Sequence, residues 1–67
     1  MTTFTFVVDK VLYQVTFHPI KGGRSASETE SNITVHKNGD ELIDERTRGG
    51  YVNKTNAVRH LNRVLNG

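Results

Sequence analysis

Residues 53 to 67 read NKTNAVRHLNRVLNG, and this stretch decides the fold. Asn53 is a residue type that caps helix N-termini, because its side-chain oxygen can accept from a free backbone N–H of the first turn. Beyond it, Ala57, Val58, Leu61, Val64 and Leu65 recur at offsets that follow a 3.6-residue period. Gly67 stands where a helix ends. The pattern predicts one amphipathic helix over residues 54 to 66. A single apolar stripe cannot stay in water, so the rest of the chain must supply a surface that covers it.

Upstream, that surface reads as β-sheet. Residues 2 to 9, TTFTFVVD, alternate with Phe4, Phe6 and Val8 on one side. Residues 11 to 18, VLYQVTFH, repeat the pattern with Val11, Tyr13, Val15 and Phe17, and the polar break at Asp9-Lys10 makes the two runs a hairpin. Pro19 is expected to stop the second strand, because proline cannot donate to a ladder. Residues 21 to 31, KGGRSASETES, hold no large apolar side chain and are expected to form a mobile surface loop.

A third strand is predicted at 32 to 37, NITVHK, with Ile33 and Val35 inward. Asn38-Gly39 follows, a pair that accepts the positive φ angles of a tight hairpin turn. A short fourth strand is predicted at 40 to 44, DELID, its acids suited to an exposed edge. Arg46 to Gly50 reads as a turn, and Tyr51-Val52 as an apolar pair returning to the core. The expected architecture is α+β: one domain over residues 1–67, with an antiparallel sheet of three to four strands and one C-terminal helix packed on one face, in the order ββββα. Phe4, Phe6, Val15, Phe17, Ile33 and Val35 are the expected core of the sheet.

Composition narrows the function classes. Sixty-seven residues without a cysteine leave one modest core and no disulfide. His18, His36 and His60 are scattered without a second ligand at metal spacing, so neither a metal nor a cofactor is expected. No apolar run approaches a membrane span, and the cytoplasm is the expected compartment, which makes the Asn-x-Thr triplets at Asn32 and Asn53 chance occurrences. Charge is polarised along the chain. Residues 46 to 67 carry Arg46, Arg48, Lys54, Arg59 and Arg63 and no acid, whereas residues 1 to 45 carry four basic residues against seven acids.

The segment from residue 33 to 65, ITVHKNGDELIDERTRGGYVNKTNAVRHLNRVL, resembles the YegP-like family of small bacterial and archaeal domains of unknown function. The matching pieces are the Asn38-Gly39 turn with a short strand after it, then Gly50-Tyr51, a cap, a lysine, and a helix of the form N-A-x-x-x-L-x-x-V. Where family members place an aromatic and an arginine on the second strand, this chain has Gln14, Thr16 and His18. The resemblance implies a compact sheet-plus-helix unit that tends to pair with a copy of itself. It brings no catalytic residues.

Three functional readings follow. Catalysis is not expected: Ser25, Ser27 and Ser31 lie in the expected loop, and His18 and His36 fall on the outward side of their strands, where they could be neighbours. Protein binding is the favoured reading. It makes the chain a small accessory or inhibitory factor of the kind phage and other mobile elements use, with Asp40, Glu41, Asp44 and Glu45 as an acidic contact surface that could mimic phosphates to a nucleic-acid-handling partner. Nucleic-acid binding is the alternative, through Arg46, Arg48, Lys54, Arg59 and Arg63, with His60 also expected off the apolar stripe. A homodimer could accompany either one, with Val7 and Leu12 forming an apolar centre on the face away from the helix.

Overall fold

The computed structural model describes residues 1–22, 29–48 and 51–66. Two tight turns organise the sheet. Asp9 and Lys10 both have positive φ, 51° and 66°, as do Asn38 and Gly39 at 50° and 89°. Both turns therefore have the primed geometry whose twist matches paired strands. The first hairpin joins β1 (Thr2–Val8) to β2 (Val11–Lys21), and the second joins β3 (Glu30–Lys37) to β4 (Asp40–Arg48). The strands lie in sequence order, each antiparallel to the next. Asn38 ties the two hairpins together. Its N–H donates to the Leu12 carbonyl at 2.8 Å, and its side-chain Oδ1 accepts from the Leu12 N–H at 3.2 Å.

The first turn costs more than the second, because it holds two residues with Cβ atoms in the left-handed region. Lys10 makes this a testable economy. Lys10→Gly will stabilise the domain by about 1 kcal/mol, read as a raised urea midpoint at constant slope.

Pro19 does not end β2, which continues to Lys21. The β1 pairing has finished by then, at Phe17 opposite Thr2, so Pro19 pairs only with Ser31 of β3. With no strand on its other side, a missing donor is tolerated. The register slips between Pro19 and Lys21. The expected loop is correspondingly shorter: Lys21 belongs to β2, and Glu30 and Ser31 to β3. Residues 23–28, the heart of that loop, lie outside the described residues.

β4 likewise runs past Asp44 to Arg48, through residues that read as a turn; Gly49 and Gly50 are outside the described residues. Polar cross-strand contacts extend it where apolar alternation has stopped. Asn32 donates to Asp44, and Arg46 forms an ion pair with Glu30.

α1 (Lys54–Asn66) packs on one side of the sheet, over β2. Asn53 caps it as expected: its Oδ1 accepts from the Asn56 N–H at 2.9 Å and its carbonyl from the Ala57 N–H at 3.0 Å. The core is Tyr13, Val15, Phe17, Ile33 and Val35 from the sheet with Ala57 and Leu61 from the helix. Phe4, Phe6, Val8, Val11, Ile43 and Val64 are half-buried at its margin.

The helix is rotated from the expected setting. Its buried side is Asn56, Ala57 and Leu61 with Val64 and His60 beside them, while Leu65 is 40% exposed. His60 meets Phe17 edge to face, with ring centroids 6.1 Å apart. Buried Asn56 donates from Nδ2 to the Tyr51 carbonyl at 2.6 Å, so the chain enters the helix docked by its backbone. The Tyr51 and Val52 side chains, expected in the core, are exposed instead.

Candidate functional site

The acidic strand β4 is the starting point. A strand alternates its side chains, so Leu42-Ile43 cannot both face the core. The structure resolves the conflict with a β-bulge. Val35 pairs with Ile43 but His36 pairs with Glu41, leaving Leu42 as the extra residue. Ile43 packs at the core margin, and Leu42 is turned out, 43% exposed.

The four acids divide accordingly. Glu41 sits opposite His36 and Asp44 opposite Thr34, on the open side of the sheet. Asp40 is exposed opposite Lys37 at the turn, and Glu45, opposite core residue Ile33, faces the helix and forms an ion pair with Arg63. Asp40, Glu41 and Asp44 thus remain solvent-facing on the edge strand, Glu41 and Asp44 on the face opposite the helix, while Glu45 is committed within the fold. Between β4 and α1 runs an open groove lined by Leu42, Ile43, Arg63 and Val64. The acids of this strand do not by themselves point to Leu42 as an exposed apolar side chain. The signal that could have found it is the adjacent Leu-Ile pair, which period-2 alternation cannot bury.

The basic residues also disperse. Arg46 lies on the open face of the sheet with Glu30, whose side chain is nearly buried. Arg63 is on the helix with Glu45, and Arg59 donates to the Asn56 side-chain oxygen. Lys54 is exposed at the first helical position, and Arg48 ends β4 opposite Glu30. Arg59 and Arg63 share the outer groove of the helix, which also includes Thr55, Val58, Asn62 and Asn66. His60, expected with them, instead faces Phe17.

The open face of the sheet is polar at its centre. Thr3 and Thr16 share a hydroxyl hydrogen bond at 3.0 Å, and His18 Nε2 lies 3.1 Å from the Thr34 hydroxyl. The two histidines are not neighbours: His18 pairs with Asn32 and His36 with Gln14, and the Thr16–Thr34 row runs between them. Val7 and Leu12 pair next to the Asp9-Lys10 turn, so they form an apolar end to this face and not its centre. Among the described residues no three His, Cys, Asp or Glu side chains are grouped to hold a metal ion, and no helix is long and apolar enough to cross a membrane.

His60 of the helix is a titratable group perturbed by the fold. Burial, with the Arg59 charge second, holds its imidazole below the ordinary value of 6.5. Its Nδ1 is buried without a hydrogen-bond partner. Because the folded state disfavours the proton, the unfolded chain binds more of it at mildly acid pH. The contribution is therefore complete above 6.5 and is lost as pH falls from there through the lower folded value. Urea midpoints at pH 7.5 and 5.5 will show a drop in the wild type that His60→Gln reduces.

The architecture and surface together define a four-stranded antiparallel sheet backed by one helix, with a charged, bulged edge strand that exposes Leu42. No family model, curated protein or solved structure matches the chain.

Proposed function

We propose that this chain is a small non-enzymatic module that captures a protein partner through β4, acting as an accessory or inhibitory factor of phage or mobile-element type. The observation that carries the reading is the bulge at Leu42. It sets an apolar side chain outward on the helix side of the edge strand, beside a groove floored by Ile43 and Val64, while Glu41 and Asp44 line the opposite, open face of the same strand. An exposed apolar anchor on an edge strand that also carries charge has the anatomy of a protein contact, where a few buried side chains supply most of the energy and polar neighbours supply selectivity. A partner that normally handles nucleic acid would present the matching basic surface. The cytoplasm is the compartment this reading assumes. Kinship with the YegP-like domains belongs to the same proposal, resting on the Asn38-Gly39 turn, the strand after it and the capped helix.

A pull-down from native lysate, with and without nuclease, tests it. Nuclease-resistant recovery of a specific protein is expected, and Leu42→Ala with Glu41→Lys and Asp44→Lys will weaken capture by about tenfold or more. Undiminished capture by that variant removes β4 from consideration.

One observation favours a second reading. Arg59, Asn62, Arg63 and Asn66 share the outer groove of α1, and guanidinium and amide groups are the side chains that read base edges in a duplex groove. If this surface is the functional one, recovery will be nuclease-sensitive and steeply salt-dependent.

A further inference from the structure

The two outer edges of the sheet are opposite in character. β4 carries charge at six of its nine positions and is bulged, two devices that discourage the addition of another strand. β1, TTFTFVV, has no charge, no proline, no glycine and an uninterrupted register with β2. Nothing in β1 guards its outer edge.

The outward backbone groups of β1 can be identified. Leu12 gives its N–H and its carbonyl to Asn38, on the β3 side. Val7, directly opposite Leu12, is therefore a non-hydrogen-bonded partner within the hairpin, and its own N–H and C=O point away from β2. By alternation the same holds for Thr5 and Thr3. Three residues in register thus offer donors and acceptors along the free edge. The inner side of β1 is also incompletely covered, because α1 lies over β2 and leaves Phe4, Phe6 and Val8 half-buried.

We infer that β1 is a self-association edge, and that its occupant is β1 of a second copy, antiparallel about a two-fold axis normal to the sheet at Thr5. In that register Thr5 meets Thr5 of the partner copy, and Thr3 meets Val7, each pair exchanging two backbone hydrogen bonds. Side-chain parity is preserved, so Phe4 meets Phe6 on the helix side and both helices lie on the same side of a continuous eight-stranded sheet. Charge selects this occupant. Two β1 edges meet without charge and without a break in register, whereas a β4 edge in either pairing would desolvate charged side chains and carry its bulge into the joint. The joint is isologous and closes at two copies, and it leaves both β4 strands free at the far ends. It does not depend on what β4 binds.

Sedimentation equilibrium over a wide concentration range, combined with amide exchange, tests the inference. The wild type should approach twice the chain mass, with the Thr3, Thr5 and Val7 amides exchanging about tenfold or more slower at high concentration than on dilution. Thr5→Pro deletes an outward donor while sparing the β2 ladder, and should give a monomer with an unchanged circular dichroism spectrum. Should proline disturb the strand, Thr5→Lys sets two like charges opposite each other and should likewise give a monomer. A wild type that stays monomeric overturns the inference. So does a dimer whose β1 amides are unprotected, or one that survives both Thr5 changes and is lost only with Leu12→Lys on the open face. Open-ended assemblies overturn it too.

Discussion

Leu61→Ala will lower the stability of the domain by about 2–5 kcal/mol, read from chemical denaturation. Leu61 is 4% exposed and is the largest apolar side chain that α1 buries against the sheet. Its removal takes away the transfer energy of the lost methyls and leaves a cavity that the β2 and β3 side chains beneath, locked in register, cannot close. For a domain this small, the loss is comparable with the whole margin of folding, at roughly 5 kcal/mol. The matched control is Leu65→Ala. It removes the same atoms from a half-exposed position on the same helix and should cost well under half as much. Equal losses at the two sites would mean that the helix is not rotated as described.

Phe17→Ala is the second large effect, at about 3–5 kcal/mol. Phe17 is buried on β2 between Phe4, whose ring meets it edge to face at 5.9 Å, and His60 of the helix. It therefore joins β1, β2 and α1 at one point. Truncation empties the centre of the core and also removes the aromatic contact, so Phe4→Leu and Phe17→Ala should not be additive. A double-mutant cycle between them should return a coupling of about 0.5–1.5 kcal/mol. Zero coupling would place the two rings out of contact. Phe17→Ala should also expose the His60 ring and reduce the pH dependence of stability, because burial is the first cause of its lowered proton affinity.

Much of the fold was legible in local chemistry. The Asn38-Gly39 turn, the alternation in β1 and β2, and the Asn53 cap each have a short-range cause, and each element stands where that cause puts it. The misreadings share another origin. Pro19 reads as a stop, yet whether a missing donor matters depends on whether a strand lies alongside, and β1 has already ended there. Arg46 to Arg48 read as a turn because they lack apolar alternation. They are strand because Glu30 and Asn32, far away in the chain, provide polar partners. The helix stripe includes Val58 and Leu65 by period, yet the buried side takes in Asn56, whose amide is satisfied by the Tyr51 carbonyl, a contact without hydrophobic periodicity.

The candidate surfaces show the same division. Residue order established how many acids and bases there are, their separation into an acidic first part and a basic tail, and an antiparallel sheet capped by one helix. Those properties follow from composition and from interactions a few residues apart. Which charges stay free came from the folded arrangement alone. The Arg46–Glu30 and Arg63–Glu45 pairs join the basic tail back to the acidic part, and the bulge opposite Val35 turns Leu42 outward. A side chain's face depends on strand register, and register is set by partners distant in sequence.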